Sequence, residues 1–148
     1  MSLAQRLTEA MKEAMKSKQS LRLGVIRLIR SAIKNAEIDK KIVMGDPEII
    51  AVMSTMLKQR RESAQVYREN ERIDLAEKEE QEIEVIQEFL PQPLSVDEIK
   101  QLVEQAITDV GATSMKQMGA VMKQVTVQTV GRADGRQVSE LVKSCLTN

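Results

Sequence analysis

The stretch Phe89-Leu90-Pro91-Gln92-Pro93-Leu94-Ser95 decides how this chain folds. Proline lacks a backbone N–H and its ring clashes with the preceding turn, so two prolines one residue apart cannot both lie inside a helix. The residue before each proline also prefers an extended backbone. Ser95, with Glu98 three residues later, has the pattern of a capping box. The stretch therefore predicts that one helix ends near Phe89 and that another begins directly after Ser95.

This break predicts two helical parts, a larger N-terminal bundle over residues 1–90 and a small three-helix tail over residues 91–148. The chain has 148 residues, of which 42% are hydrophobic, 30% are charged and 1% are aromatic. Its few aromatic, glycine and proline residues argue against a β-sandwich or barrel, which needs many turns. The sequence thus predicts an all-α fold with an aliphatic core, to which nine methionines contribute.

Helical periodicity supports this fold class along the whole chain. Leu3, Leu7, Met11 and Met15 recur every four residues and predict a first helix from about residue 2 to residue 16. Similar apolar stripes predict further helices over residues 20–38, 47–69 and 75–89, and three short helices in the tail.

Two stretches carry more specific local expectations. Asp46 followed by Pro47 predicts a helix start, with the aspartate as N-cap and the proline at the first helical position. Residues 125–130, Val-Thr-Val-Gln-Thr-Val, alternate and are β-branched, which is typical of a strand. Because a single strand would have no partner here, the pattern favours a fraying helix end or an extended link.

The net charge is zero, but charge is unevenly distributed. Residues 12–41 contain nine basic and three acidic residues, a net charge of +6, whereas residues 69–88 contain two basic and nine acidic residues, a net charge of −7. The simplest interpretation is that the two blocks pair across neighbouring helices. The alternative is a basic face for an acidic partner such as RNA phosphates. The glutamates of residues 77–84 are expected to form a solvated helix face.

Composition also limits the chemistry. The chain has no histidine and one cysteine, Cys145, which lies on an apolar helix face and is expected to be a small core residue. The usual ligands of zinc and haem and the bases of Cys–His catalysis are therefore missing. We expect no metal site, no cofactor and no self-contained catalytic centre. Without a signal-peptide pattern or a long apolar run, the sequence predicts a soluble cytoplasmic protein.

The most distinctive stretch of the tail is Gly131-Arg132-Ala133-Asp134-Gly135-Arg136. It places two glycines and two arginines at the start of the last helix, where free N–H groups attract anions. The arginines could hold a phosphate in bidentate fashion. Equally, the stretch could be a plain loop with Asp134 as helix cap, and the residues alone leave both interpretations open. Lys116 and Lys123 on the preceding helix could extend the same basic surface.

These residues resemble a known family. The stretch from Phe89 to Ile99 resembles the start of the C-terminal helical region of the YqeY-like family. Gly119-x-Val121-Met122-Lys123, followed by Gly131-Arg132-Ala133-Asp134-x-x-x-Val138-x-x-Leu141-Val142-Lys143, resembles the end motif of that family. The same region is similar to the tail of the GatB subunit of glutamine-dependent aminoacyl-tRNA amidotransferase. That subunit usually has proline where this chain has Gly135, and both residues suit a helix start.

The resemblance implies a non-catalytic, tRNA-associated module, because the amidotransferase tail contacts tRNA while its catalytic sites lie in other domains. The family context is carbon–nitrogen ligation with glutamine as amido-N-donor. The expected partners are tRNA and, further, aminoacyl-tRNA synthetase or amidotransferase components, with no membrane. The residues expected to contact phosphate are Lys116, Lys123, Arg132, Arg136 and Lys143. The alternative is a protein–protein interaction adaptor without a nucleic-acid role, favoured by Met-rich faces, a long third helix and opposed charge blocks.

Overall fold

In a computed structural model, which describes residues 1–147, the chain folds into seven α-helices and one short 3-10 helix, with no β-strand in that range. The all-α prediction is confirmed. Two compact units are present, a first unit from Met1 to Pro91 and a second unit from Gln92 to Asn148. Across the described residues, every helix is too short or too polar to span a bilayer. The helices are α1 (Leu3–Lys16), α2 (Ser20–Lys40), α3 (Asp46–Glu69), α4 (Ile73–Phe89), α5 (Val96–Val110), the 3-10 helix (Met115–Gln117), α6 (Met118–Thr129) and α7 (Gly135–Thr147).

The first unit packs α1 to α4 around an aliphatic core. Leu7, Ile26, Ile29, Met53 and Ile86 are almost completely buried there and come from all four helices. Fully burying a side chain of this kind stabilises the fold by about 1.5–3 kcal/mol. The last residues before the prolines, Phe89 and Leu90, belong to the same core, so the end of α4 is fixed by packing as well as by the backbone limits of proline.

The helix starts of the first unit use both expected and unexpected caps. Ser2 caps α1 as a capping box with Gln5, whose N–H donates to the Ser2 hydroxyl at 3.2 Å. The predicted role of Asp46 as N-cap of α3 is wrong, because Gly45 occupies that position and donates its N–H to the Glu48 carboxylate at 3.0 Å. Asp46 Oδ1 instead accepts the Leu3 N–H at 3.0 Å. It thereby satisfies a free donor at the start of α1.

Helices α3 and α4 form a hairpin whose distal part lies outside the main core. Ala64 and Ala76 are buried in this part but do not belong to the main cluster. Arg68 reaches across to Glu80 with two hydrogen bonds, from Nε at 2.7 Å and from Nη2 at 2.8 Å. The polar second half of α3 therefore has a partner along its length, namely the acidic face of α4.

The charge blocks pair with each other as expected at one place, and the other ion pairs of the acidic block differ from the expectation. Within residues 1–147, Arg22–Glu88 is the ion pair that joins the basic and acidic blocks. Other glutamates of α4 pair with arginines of α3, which lie outside the basic block. The glutamates of residues 77–84 are also only partly a solvated face, because Glu79, Glu80 and Glu82 are half-buried. Sequence spacing alone does not show that α3 is the neighbour of this face.

The second unit packs α5, α6 and α7 around a smaller core of valine and isoleucine. Ser95 caps α5 with Glu98, as predicted, and Gly111 ends it with a left-handed φ of 71°. Of the two expectations for residues 125–130, the helix end is confirmed and the extended link is wrong, because α6 continues as helix through Thr129 and ends there. Val121, Val125 and Thr129 are buried at a spacing of four residues, so burial on one helix face outweighs the β-propensity of this segment.

Candidate nucleic-acid interface

The five predicted phosphate contacts all lie between the 3-10 helix and α7 in the second unit. Residues 115–147 contain five basic residues and two acidic residues, a net charge of +3, whereas α5 contains one basic and four acidic residues, a net charge of −3. The 3-10 helix packs against both α6 and α7, and α6 packs against α7. The unit as a whole is thus neutral but polarised along the sequence, with five of its six basic side chains in residues 115–147.

Arg132 is tied into the fold. Its Nε donates to the Gln92 carbonyl at 3.0 Å, and its own carbonyl accepts the Leu94 N–H at 2.7 Å. These two bonds fasten residues 92–94, which precede α5, to the loop between α6 and α7. The arginine is half-buried, so its Nη groups are the part that remains for an external anion.

The start of α7 has its own cap. Asp134 Oδ1 accepts the Arg136 N–H at 3.1 Å, so a carboxylate already occupies the end of the helix where an anion would bind. This geometry favours the loop-and-cap interpretation over a phosphate cradle. Arg136 itself points outward, with 78% of its side chain exposed, and lies 3.9 Å from Glu140. Such exposed i,i+4 pairs contribute about 0.3–0.5 kcal/mol, so Arg136 is easily recruited by another anion.

The three lysines of the set are exposed. Lys116 lies on the 3-10 helix, Lys123 on α6 and Lys143 on α7. Among residues 1–147, none of the three forms an ion pair. Arg136 and Lys143 are seven residues apart and share one face of α7, with Glu140 between them. The five predicted side chains therefore come from four consecutive segments, namely the 3-10 helix, α6, the loop after α6 and α7.

The loop that presents Lys116 is well fastened. The Gln117 side-chain oxygen accepts the N–H groups of Thr113 at 2.6 Å and Ser114 at 3.2 Å. Its amide nitrogen donates back to the Gly111 carbonyl at 3.5 Å. A side chain that bridges the end of α5 and the 3-10 helix in this way holds the lysine on an ordered backbone. In the sequence, the spacing of Ser114 and Gln117 is the signal for this arrangement, because it is typical of a helix start.

Asp109 links the acidic helix to the basic side of the unit. It accepts hydrogen bonds from the side-chain amides of Gln124 on α6 and Gln105 on α5, each at 2.8 Å. The Gln124 bond, followed by the Gln105 bond, lowers the pKa of Asp109 below its ordinary value. A carboxyl with a lowered pKa in the folded state stabilises the fold above its unfolded pKa, and this contribution is lost as the pH falls through the folded pKa.

Replacing Gln124 by alanine should therefore raise the pKa of Asp109 towards its ordinary value. The measurement is a carboxyl titration by NMR, comparing wild type with Gln124→Ala. Gln128→Ala, an exposed amide one turn further along α6, is the matched control and should leave the Asp109 titration unchanged. An unchanged midpoint in Gln124→Ala would show that the amide does not bond the carboxylate in solution.

The acidic side chains and the cysteine of the described residues do not form a metal-binding cluster. Within residues 1–147, no three Asp, Glu or Cys side chains group closely enough to hold a metal ion. Cys145 is partly buried and packs against the valine core of the second unit, as expected for a small apolar residue. The described arrangement offers charged side chains that can bind an anion, held on short and well-capped helices.

Comparison with known sequences shows to which protein family the chain is related. The chain matches the YqeY-like protein family over residues 4–146. It is 40% identical over 106 residues to altered inheritance of mitochondria protein 41, mitochondrial, of the yeast Vanderwaltozyma polyspora, covering 70% of this chain and 57% of that protein. The protein of the same name from Candida glabrata is 41% identical over 86 residues, covering 57% of this chain and 47% of that protein.

A longer alignment extends over almost the whole chain. The protein of the same name from Pyrenophora tritici-repentis is 30% identical over 141 residues, covering 93% of this chain and 77% of that protein. The chain spans about half the length of the two yeast relatives. Since the family match covers both units, it applies to the whole described fold. The chain belongs to the YqeY-like protein family.

Proposed function

We propose that this chain is a non-catalytic module that associates with tRNA through the second unit. The observation that carries the proposal is the concentration of five basic side chains in residues 115–147, on the 3-10 helix, α6, the loop after α6 and α7, against two acids in the same residues. The similarity of this region to the tail of the amidotransferase subunit, which contacts tRNA, is the reason to propose tRNA as the anion that these side chains bind. Aminoacyl-tRNA synthetases and amidotransferase components are then the protein partners that a cytoplasmic module of this kind would meet.

A folded RNA suits this surface better than a single strand. Proteins that bind single strands stack bases on aromatic side chains, and residues 92–148 contain no aromatic residue. Lysines and arginines without stacking partners contact phosphates and read the shape of a helix. In such a surface contact each side chain adds a small increment to the binding free energy.

The structure changes which residues make the sharpest test. Lys116 and Lys123 are exposed and form no ion pair within residues 1–147, whereas Arg132 fastens the segment before α5. Substitution of Arg132 would alter both binding and fold, so we choose the two lysines. Lys116→Ala plus Lys123→Ala should weaken binding of unfractionated tRNA about three- to thirtyfold, because each of the two exposed charge contacts contributes up to about 1 kcal/mol.

The binding is measured by fluorescence anisotropy with labelled tRNA at low salt. Lys78→Ala plus Lys100→Ala removes the same charge from other exposed positions and should change affinity less than twofold. No binding by the wild type, or an equal loss in both double variants, would contradict the proposal. Circular dichroism of each variant confirms that helix content is retained.

We also propose that the two units are separate domains, a larger helical bundle and a small three-helix tail. The support is that each unit has its own buried cluster, with Leu90 assigned to the first and Leu94 packed against the second. Residues 91–148 expressed alone should then show helical circular dichroism and a cooperative thermal transition. A peptide that is unfolded at low temperature would contradict the proposal.

A further inference from the structure

The first unit carries an open groove that the tRNA proposal does not use. It has a volume of about 570 Å³ and runs between α1, α2 and the loop that precedes α3. One side is formed by α1 through Ala4, Leu7 and Met11, which follow one another at helical spacing. The loop closes one end with Val43 and Met44. The volume lies within the range of about 300–1,000 Å³ that is typical of ligand sites.

The opposite side of the groove is basic. Arg27, Arg30 and Lys34 of α2 line it, and we call these three residues the basic wall. They lie at positions i, i+3 and i+7, so they form one row of about 10 Å at 1.5 Å per residue. All three are exposed, and within residues 1–147 none of them forms an ion pair. Arg30 Nη1 donates only to the sulfur of Met11, at 2.8 Å.

The single acid that lines the groove is already engaged. Glu37 Oε2 accepts the Met44 N–H at 2.8 Å and so fixes the loop at the end of the groove. The lining residues of the groove therefore have a net charge of +2. The charge of the basic wall is balanced by no acid of the groove other than Glu37, which favours a negatively charged occupant.

The groove also offers exposed apolar surface next to these charges. Val43, which lines the groove, is 92% exposed, and Ile38 and Ile42, near it in the sequence, are 65% and 44% exposed. A phosphate backbone would satisfy the basic wall but would leave this apolar surface in water. An amphipathic helix satisfies both, because its apolar stripe faces α1 and the loop while its acidic flank faces the row of cations.

We infer that this groove binds an acidic amphipathic helix of a partner protein. The partner presents apolar residues at i, i+3 or i+4, and i+7, flanked by glutamate or aspartate with the same repeat. Its acids pair with the basic wall along α2, and its apolar stripe lies over Met11 and Val43. This gives the adaptor role predicted from the sequence a location in the first unit, separate from the basic surface of the second unit.

The test is a selection from a display library of helical peptides, with the full chain as bait. Each peptide has apolar residues at i, i+3, i+4 and i+7, and the flanking positions are randomised. The enriched peptides should carry an excess of glutamate and aspartate. A synthesised winner should bind Arg27→Glu plus Lys34→Glu at least tenfold more weakly than wild type. Lys12→Glu plus Lys16→Glu makes the same change in net charge at exposed residues that do not line the groove, and it should lose less than threefold at 150 mM salt.

A second variant tests the apolar side. Val43→Asp changes an exposed loop residue, so the fold should survive while peptide affinity falls at least fivefold. No enrichment, enrichment of basic peptides, or equal binding to the wild type and the Arg27→Glu plus Lys34→Glu variant would overturn the inference. A 12-base-pair RNA duplex serves as the competing ligand. If the duplex binds wild type and loses affinity in Arg27→Glu plus Lys34→Glu, while the peptide keeps its affinity, the inference is overturned in favour of a nucleic-acid site.

Discussion

Replacing Ile99 by alanine should unfold the second unit while the first unit stays folded. Ile99 is completely buried and belongs to the small core shared by α5, α6 and α7. An isoleucine-to-alanine change in a core costs about 2–5 kcal/mol. A unit of this size has a total stability of only about 3–8 kcal/mol at 0.05–0.15 kcal/mol per residue, so the loss removes much or all of it.

Hydrogen exchange followed by mass spectrometry measures this result segment by segment. Peptides from residues 96–147 should lose most of their protection in Ile99→Ala, whereas peptides from residues 3–89 should keep theirs. Val127→Ala is the control, because Val127 is 77% exposed on α6. An equal loss of protection in both units would contradict the proposal that they are separate domains. Full protection throughout would contradict the described burial of Ile99.

Replacing Arg60 by alanine should destabilise the first unit by about 2–3 kcal/mol. Arg60 Nε lies 3.4 Å from Glu82 Oε2, and each side chain is only 16% exposed. Removing one partner of a fully buried pair costs about 3–5 kcal/mol, and this pair is somewhat less buried. Glu79 should add to the loss of stability in Arg60→Ala, because Arg60 also interacts with its carboxylate. Burial, and then the charge of Glu82, raises the pKa of Glu79, and Arg60 opposes that rise.

The sign of the pH dependence follows from this. A carboxyl whose folded pKa lies above its unfolded value destabilises the fold when it is charged, and stability returns as the pH falls and the group is protonated. Without Arg60 the pKa of Glu79 should rise further. The stability of Arg60→Ala, relative to wild type, should therefore decrease as the pH rises from the acid range towards neutrality.

Urea unfolding at several pH values, followed by circular dichroism, measures both effects. Arg61→Ala is the matched control, since Arg61 is the exposed neighbour in the sequence and should change stability by less than 0.5 kcal/mol. Arg60→Leu plus Glu82→Leu should recover most of the loss, because an apolar pair can replace a buried ion pair. A loss in Arg60→Ala no larger than that in Arg61→Ala would show that the Arg60–Glu82 pair does not contribute.

Much of this fold could be predicted from local signals. The prolines at 91 and 93 mark the end of α4, and the Ser95–Glu98 spacing gives the start of α5, because both depend on residues close in sequence. The interactions that were missed join distant residues. Asp46 bonds the Leu3 N–H, 43 residues away, and Arg132 bonds the Gln92 carbonyl, 40 residues away. A cap pattern in sequence cannot show which helix end a carboxylate reaches.

The two candidate binding surfaces also differ in how much of each could be predicted from the sequence. The basic residues of the second unit could be predicted from their types, but the fold contacts of Arg132 and the exposure of Lys116 and Lys123 required the structure. The groove of the first unit left no sequence signal, because its apolar side comes from α1 and its basic wall from α2. The β-branched run at residues 125–130 shows the opposite case, in which burial in the tail core overrides a local propensity.

The salt dependence of tRNA binding tests the central claim most directly. The logarithm of the association constant is measured against the logarithm of salt concentration between about 50 and 200 mM, a range in which several phosphate contacts cost orders of magnitude in affinity. Each phosphate-contacting lysine adds about 1 to the slope. We predict that Lys116→Ala plus Lys123→Ala lowers the slope by about 2, while Lys78→Ala plus Lys100→Ala leaves it unchanged. Wild-type binding that is absent at 50 mM salt, or a slope that is the same in all three proteins, would contradict the assignment of tRNA contact to the second unit.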